Sequence, residues 1–430
     1  MSRPTALSSI VDALRAGRRE IVPYVNEICD LVEAQEPRIE AMLPEPGRRK
    51  RLIKEAEALQ AHFPNKGDRP ALYGALVAVK DIFHLSGFVT KAGSEVPPEA
   101  FAGQEATCIS WLRDAGALIL GKSVTTEFAY FEPGPTRNPH NPAHTPGGSS
   151  SGSAASVASG YCPLALGTQT AGSVIRPAAY CGVIGFKPTW NRIPTNGLLY
   201  FSRSVDHVGL FTQDIAGMAL AAEVLCQAWR RAPEPDNLPV LGIPEGPYLE
   251  QAEPEALNAF EHRLSGLEEM GYAIKRIPMF PDIDRIRHLH LQLISAEFAG
   301  EHKEVYARYS ERYRPRTAEL IETGMKVRDE ELYTARRHCA QFRAELERKM
   351  HQEDIDLWAS PAAKGPAPEG IKATGSPDMN LPWTHAGVPA VTLPMGKAEN
   401  GLPLGLQLAA SFGADEYLLA WSRKLVESIG

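Results

Sequence analysis

The stretch of residues 147–189, GGSSSGSAASVASGYCPLALGTQTAGSVIRPAAYCGVIGFKPT, constrains the fold of this chain more than any other. Three blocks enriched in Gly, Ser, Thr and Ala, at residues 147–160, 167–173 and 182–185, alternate with apolar runs. Small residues permit unusual backbone angles and a close approach of the backbone to a ligand, whereas the apolar runs require burial. A flexible linker would lack those runs. We therefore expect this stretch to hold the functional site inside a buried framework.

Length and composition exclude several classes of protein. With 430 residues, of which 43% are hydrophobic and 23% charged, the chain can bury a large core, so disorder is not expected. A net charge of -7 provides no basic surface for a polyanion, and we expect no nucleic-acid partner. The 6 cysteines are widely scattered without a CxxC pair, which argues against disulfides and a zinc site.

The apolar segments also indicate a location. Residues 1–20 lack the apolar core of a signal peptide, and no segment approaches the roughly 18 apolar residues of a membrane span. We therefore expect a cytoplasmic protein with no membrane contact.

Hydrophobic periodicity divides the chain into alternating helices and strands. Residues 7–62 have the spacing of packing helices, and residues 107–120 fit a helix followed by a strand. This β-α-β rhythm favours a partly parallel sheet in an α/β fold. Residues 245–350 are largely helical in pattern and charged. We expect one domain over residues 1–430, with N-terminal packing helices and a helical, variable insertion at about 245–350.

Lys80 is the first candidate for chemistry. It lies in the apolar run YGALVAVKDIF at residues 73–83, which has the composition of a buried strand. A lysine is rarely buried without a partner, so Lys80 either reaches solvent at the strand end or is held inside for a purpose. Together with serines in Gly-rich surroundings, it suggests a Ser-Lys nucleophilic device. Such a base acts only when neutral, so burial would have to lower its pKa from about 10.4 to near 7.

Three other motifs fit their patterns less well. Residues 116–123, GALILGKS, match the P-loop, but the variable positions are apolar and favour a buried strand. Residues 148–152 match GxSxG, but HNPAHTPG before them is not the strand that the nucleophile elbow of an α/β-hydrolase requires. On a helix, the side chains of His288 and His290 would diverge by about 200° and could not bind one metal. We therefore expect neither a nucleotide nor a metal site.

The small-residue stretch closely resembles the signature of the amidase signature enzymes, through GGSSSGSAASVASG and LALGTQTAGSVIRPAAYCGVIGFKPT. The resemblance covers nearly the whole chain, because it extends to VKD at residues 79–81, GKSVTTEFA at residues 121–129, and AGVPAVTLPMG with GLPLGLQL near the C-terminus. Within the family, the compact length and GTQTAGSVIRPAAYCG are most similar to malonamidase-like members. The resemblance implies a mixed, mostly parallel sheet covered by helices on both faces.

A catalytic mechanism is also implied by this resemblance. Ser173 falls on the family's acyl nucleophile, Ser149 on its bridging serine with a cis peptide bond, and Lys80 on its base. Neutral Lys80 would draw a proton through Ser149 from Ser173, whose oxygen attacks the amide carbonyl to give an acyl-enzyme that water cleaves. No cofactor is needed. The implied oxyanion hole consists of the backbone N–H groups of Thr170, Ala171, Gly172 and Ser173.

The implied activity is hydrolysis of C–N bonds in small amides, and two alternatives stay open. One is a carbamate (urethane) or aryl-amide hydrolase with the same triad, and the other is an amidotransferase-type subunit that is active only in a complex. Substrate pockets draw on loops and on the insertion, which carry no transferable motif. The expected reaction partner is a small molecule, and a homodimer is compatible with the resemblance.

Three positions depart from the family's usual pattern. The two residues before Ser173 are Ala171 and Gly172 instead of two glycines, Gln169 stands at a frequent aspartate position, and the arginine follows Ser173 by three residues, as Arg176. A guanidinium at that place could hold a substrate carboxylate or carbonyl. In a buried and tightly turned segment it could equally pair with an acidic side chain or with backbone carbonyls. Both roles of Arg176 stay open from the sequence.

Overall fold

The computed structural model describes residues 6–232 and 234–429. In this part of the chain, no helix combines the length and the apolar character that crossing a bilayer requires. The helices, in chain order, are α1 (Leu7–Arg15), α2 (Ile21–Ile39), α3 (Arg48–His62), α4 (Thr107–Asp114), α5 (Ser151–Ala158), α6 (Ile175–Cys181), α7 (Ile215–Leu225), α8 (Pro254–Glu269), α9 (Ile283–Tyr309), α10 (Pro315–Gly324), α11 (Asp329–Gln352), α12 (Leu381–His385) and α13 (Asp415–Ile429).

A single mixed sheet runs through the molecule. Its strands, in chain order, are β1 (Leu76–Lys80), β2 (Leu118–Ser123), β3 (Leu164–Gln169), β4 (Ile184–Lys187), β5 (His207–Thr212), β6 (Leu241–Glu245), β7 (Ile274–Pro278), β8 (Leu357–Pro361), β9 (Ala390–Lys397) and β10 (Pro403–Ala409). Their order in space is β2-β1-β3-β5-β4-β9-β10-β8-β6-β7. Helices α5 and α6 pack together on one face, and α7 and α13 pack together on the other. The mixed α/β fold with both faces covered is thus confirmed.

The strand directions correct the expectation of a mostly parallel sheet. Parallel pairing is confined to the two ends, β2-β1-β3 and β8-β6-β7. From β3 to β8, through the middle of the sheet, every pairing is antiparallel. Strand β5, which the sequence did not indicate, lies between β3 and β4 and pairs antiparallel with both. The other antiparallel pairings are those of β9 and β10.

The N-terminal segment forms helices because its apolar residues recur at helical spacing. In α2 the buried positions include Tyr24, Val25, Ile28 and Val32, which make one continuous apolar face. Asp214 ties this region to the body of the protein: one carboxylate oxygen accepts from the Gly217 N–H and caps α7, and the other accepts from the N–H of Leu7 at the start of α1.

The segment 245–350 contains more than helices. It holds α8, α9, α10 and most of α11, and also β7, which the sequence did not indicate. Strand β7 pairs in parallel with β6 at one edge of the common sheet. Helix α9 contacts the short helix α12 as well as α10 and α11. Through the contact with α12, this segment packs against the C-terminal part of the chain.

The sheet brings Lys80 and the loop of residues 170–173 to the same edge. Strands β1 and β3 are parallel neighbours, so Lys80, the last residue of β1, lies beside the carboxyl end of β3, where the loop begins. Helix α5, which begins two residues after Ser149, packs on both strands. Its approach to the neighbouring backbone is so close that a Cβ on Gly152 would lie 2.1 Å from the carbonyl oxygen of Ala41. Only glycine fits there.

A buried ion pair fixes the segment that follows Lys80. Lys122 Nζ lies 2.9 Å from Asp81 Oδ1, with side-chain exposures of 3% and 1%. The same ammonium donates to the carbonyl oxygen of Phe83 at 2.6 Å and to Thr90 Oγ1 at 3.0 Å. The other Asp81 oxygen accepts from the Ala92 N–H at 3.0 Å. This network holds the loop after β1 against β2.

We predict that Lys122→Met lowers the free energy of unfolding by about 3–5 kcal/mol, because it leaves the Asp81 carboxylate buried without its cation. Urea unfolding followed by tryptophan fluorescence measures the change. The matched control is Arg231→Met, which breaks the exposed pair with Glu223 and should leave the unfolding midpoint unchanged. An unaltered midpoint in Lys122→Met would refute a stabilising role for the buried pair.

Candidate active site

Lys80 is fully buried and forms no ion pair with any carboxylate of the described residues. Its Nζ lies 2.7 Å from Ser149 Oγ and 2.9 Å from Thr168 Oγ1, and both of these partners are neutral hydroxyls. Burial lowers the pKa of Lys80 from 10.5 to about 7, and the negative charge of Asp206 opposes this shift only in part. A lysine in this environment loses its proton near neutrality and can then accept one. The strand-end lysine therefore does not reach solvent.

Ser149 lies in the turn that leads into α5. The Gly148–Ser149 peptide bond is cis, as the resemblance implied for this serine. The residues before it are loop, and the serine of the GxSxG match, Ser150, only precedes a helix. Ser150 Oγ lies 3.2 Å from both the backbone nitrogen and the carbonyl oxygen of Thr168, so it serves to join the start of α5 to β3.

Ser173 and Ser149 line the same cleft. The other residues of its wall are Ala129, Tyr130, Phe131, Thr170, Ala171, Gly172, Arg176, Phe201, Ile294, Thr374 and Pro377. Ser173 is 9% exposed and Ser149 is 3% exposed, so the two hydroxyls are reached from solvent only through this opening. Ser149 and Ser173 thus face the same cleft, and Ser149 is hydrogen-bonded to Lys80 behind it.

The loop of residues 170–173 presents unused backbone donors. In the described part of the chain, the N–H groups of Ala171, Gly172 and Ser173 make no hydrogen bond. Unpaired N–H groups are rare inside proteins, and a run of them beside a cleft is suited to an anionic oxygen. Gly172 is required here, because a Cβ at this position would lie 2.5 Å from Asn380 Oδ1. Alanine at position 171 is tolerated, since the close approach is at residue 172.

Gln169 explains one of the departures from the family pattern. Its Oε1 accepts from the N–H groups of Val174 and Ile175, at 2.8 and 3.0 Å. These N–H groups at the start of α6 have no partner within the helix, so Gln169 caps it. Its Nε2 donates to Thr384 Oγ1 at 2.9 Å. One neutral side chain therefore holds the loop on both sides of Ser173.

Asp206 is a site residue that the sequence did not indicate. Its Oδ1 accepts from Thr170 Oγ1 at 2.6 Å, and its Oδ2 accepts from the N–H groups of Phe201 and Ser202. Burial raises the pKa of Asp206 to about 6, and these hydrogen bonds and the charge of Lys80 limit the rise. The available signal was an aspartate directly before the apolar run that forms β5.

Arg176 is buried in the wall of the cleft. Its Nη2 donates to the carbonyl oxygen of Gly148 at 2.7 Å, whereas its Nε and Nη1 have no partner in the described residues. Burial lowers the pKa of Arg176 to about 10, and the charge of Asp378 opposes this without forming an ion pair. Of the two roles left open by the sequence, pairing with a backbone carbonyl is present, and two guanidinium nitrogens, Nε and Nη1, have no partner among the described residues and could bind a ligand.

The motifs that were set aside from the sequence have structural roles. Residues 118–123 of the P-loop match form the buried strand β2. On α9, His288 is exposed while His290 is fully buried, so their side chains do not converge. In residues 6–232 and 234–429, no group of acidic, histidine or cysteine side chains is arranged to hold a metal ion. His290 instead contacts the carbonyl oxygen of Thr170, at 3.0 Å, which the sequence did not predict.

Curated relatives match this chain over almost its full length. It is 30% identical to the A subunit of the glutamyl-tRNA(Gln) amidotransferase of Thermus thermophilus, over 94% of this chain and 93% of that protein. It is also 30% identical to the 1-carboxybiuret hydrolase subunit AtzE of Pseudomonas sp. (strain ADP), over 94% of each.

Solved structures agree with this relationship. A crystal structure of an amidase superposes with a TM-score of 0.90 at 29% identity, covering 99% of this chain and 100% of that one. The peptide amidase of Stenotrophomonas maltophilia shares the fold, with a TM-score of 0.83 at 22% identity over 98% and 96% of the two chains. The sequence model of the amidase family matches residues 24–419. This chain therefore belongs to the amidase family, the amidase signature enzymes that its sequence resembles.

Proposed function

We propose that this protein is an amidase that hydrolyses the C–N bond of small amides with Ser173 as nucleophile, Ser149 as proton bridge and Lys80 as base. The observation that carries the proposal is the buried Lys80 amine, which is bonded to Ser149 beside the cleft that holds Ser173. A neutral amine keeps one lone pair, so Lys80 can donate to Thr168 and accept the proton of Ser149.

The reaction follows from this arrangement in two stages. Ser173 Oγ attacks the amide carbonyl as its proton passes to Ser149, whose own proton passes to Lys80. The protonated amine returns that proton, through Ser149, to the nitrogen that leaves. Water then attacks the ester of Ser173 with the same residues acting as base, and the acid product is released.

The backbone of residues 170–173 would stabilise the negative oxygen in both stages. The free N–H groups of Ala171, Gly172 and Ser173 support this role, because donors fixed before the reaction need no reorganisation when charge develops. The donors implied by the resemblance also included the N–H of Thr170, which likewise makes no hydrogen bond in the described part of the chain.

For the substrate, we propose a small amide that carries a carboxylate, as in malonamidase-like members. A buried guanidinium whose Nε and Nη1 are unpaired supports this choice, since no acidic side chain of the described residues forms an ion pair with Arg176. The cleft is narrow and lined by the aromatic rings of Tyr130, Phe131 and Phe201, which favours small substrates. Carbamates and aryl amides are the alternatives for the same triad.

A second candidate function is that of a subunit active only in a complex. It is favoured by the names of the two curated relatives, each of which is a subunit. Hydrolysis by the purified chain alone, assayed over a panel of amides, anilides, carbamates and esters, separates the two candidates and identifies the substrate class. Sedimentation velocity on the same sample shows whether the active species is a homodimer.

We predict that Ser173→Ala lowers kcat by more than about 10³-fold and abolishes labelling by a fluorophosphonate probe, because the attacking oxygen is lost. Ser149→Ala should also lower kcat strongly. Ser156→Ala is the matched control: its hydroxyl is equally buried but bonds to the carbonyl oxygen of Gly152 outside the cleft, and labelling should be unchanged. Labelling of Ser173→Ala at the wild-type rate would contradict the assignment.

We predict that kcat/KM falls about tenfold per pH unit below about 7, because protonation of Lys80 removes the base, and that it is constant above this pH. Lys80→Ala should lower the plateau by about 10²–10⁴-fold. Lys187 provides the control, since it is also fully buried at a strand end with a pKa lowered to about 7. Lys187→Met should keep the wild-type profile, and a shifted profile in this variant would argue against Lys80 as the titrating group.

We predict that Arg176→Ala loses more kcat/KM on malonamate than on its methyl ester, by about 1.5–3 kcal/mol, because only the carboxylate forms charge-assisted bonds with the guanidinium. Steady-state kinetics on both substrates measure the difference. Arg176→Lys, which keeps the charge but has a single donor nitrogen and no bidentate geometry, should lie between wild type and Arg176→Ala. Equal losses on the two substrates would make Arg176 a support for Gly148 and not a substrate ligand.

A further inference from the structure

Two side chains from outside residues 147–189 contact backbone carbonyl groups of the loop of residues 170–173. His290 Nε2 lies 3.0 Å from the carbonyl oxygen of Thr170, and Thr384 Oγ1 lies 2.6 Å from that of Ala171. These carbonyls share their peptide units with the N–H groups of Ala171 and Gly172. Each contact therefore acts on a peptide whose other end is a free donor beside the cleft.

The contact with Thr170 determines the proton positions of three histidines. A carbonyl oxygen only accepts, so His290 carries its proton on Nε2. Burial lowers the pKa of His290 to about 4, so the ring is neutral and its Nδ1 is an acceptor. His385 Nδ1, 3.2 Å away, therefore donates to it. Burial also lowers the pKa of His385 far below its usual value, so its Nε2 accepts from His338 Nδ1 at 2.8 Å.

We propose that His290 is a positioning residue for the reaction of Ser173, and that His385 and His338 hold it in the one neutral tautomer that can donate to Thr170. This role presupposes the function proposed above. The bond to the Thr170 carbonyl fixes the plane of the peptide that joins Thr170 to Ala171. It also polarises that peptide, so the N–H of Ala171 becomes a stronger donor, as in other chains of hydrogen bonds.

The three histidines connect helices α9, α11 and α12 to the loop of residues 170–173. His290 comes from α9, His338 from α11 and His385 from the end of α12, and the rings of His290 and His385 meet edge to face at 5.4 Å between centroids. His290 and His385 are both buried, while His338 is partly exposed. A histidine that only filled space would not need a hydrogen-bond partner on each ring nitrogen. It would also not need neighbouring donors and acceptors that all fit one tautomer.

The test uses the purified full-length chain and a fluorophosphonate probe, whose phosphoryl oxygen must enter the oxyanion hole as Ser173 reacts. His290→Leu removes the donor and keeps the site apolar. We expect its labelling rate and its kcat on the best substrate of the amide panel to fall at least about tenfold, with KM changed by less than about twofold. His290→Gln, whose amide nitrogen can replace Nε2, should restore most of the rate.

Two comparisons decide between positioning and packing. His302→Leu removes another buried histidine of α9, one that bonds to the hydroxyl of Tyr313 at 2.9 Å, and should label at the wild-type rate. If His290→Leu does not fold, His290→Asn replaces it: its shorter amide does not reach the loop, so it should be slow where His290→Gln is fast.

Equal rates for the Gln and Asn variants at position 290, or equal losses for His290→Leu and His302→Leu, would overturn the proposal. A failure of the proposed function is recognised separately. In that case wild-type protein and Ser173→Ala are labelled alike, whatever the residue at position 290.

Discussion

The site depends on keeping one amine out of water without giving it a counter-charge. A pKa of about 7 for Lys80 corresponds to roughly 5 kcal/mol of destabilisation of its charged form relative to water. The fold achieves this by ending β1 between two parallel neighbours and by covering the strand with α5. The next residue, Asp81, has its own cation in Lys122 and is not available to Lys80. A neighbouring carboxylate with no other partner would hold the amine protonated, and Lys80 could not act as the base that we propose.

The sequence predicted the parts of this protein that local pattern determines. The buried strand that ends at Lys80, the helices of residues 7–62 and the α/β class follow from periodicity, and the three residues of the proposed triad come from the resemblance to the family signature. Strands β5 and β7 were missed, and with β5 the antiparallel pairing that joins β3 to β4. The run HVGLFT of β5 is short, fully buried and without alternation, so periodicity alone does not distinguish it from loop or buried helix.

The residues that support the site were hidden for a different reason. The supporting residues act through contacts between parts of the chain that are far apart in sequence; they are Thr168, Asp206, His290 and Thr384. The contact between Lys80 and Thr168, for example, joins residues 88 positions apart. Their neighbours in sequence give no sign of these contacts. The pair at 288 and 290 was considered only as a metal site, and the geometry that excludes a shared metal leaves His290 free to face the interior. The function of such residues becomes visible only when donors and acceptors are followed across the fold.

Helix α9 has a consequence for how members of this family can diverge. The sequence places it in a segment whose main expected contribution is the substrate pocket, yet its buried face supplies the donor for Thr170. A relative with another segment in this place needs another donor for the same carbonyl, so the two regions must change together. Recombination with a junction that separates residues 169–173 from residues 283–309 of this chain would therefore separate the Thr170 carbonyl from its donor. Under the proposed function, the segment that contributes to the pocket and the loop that carries Ser173 are linked through this one backbone contact.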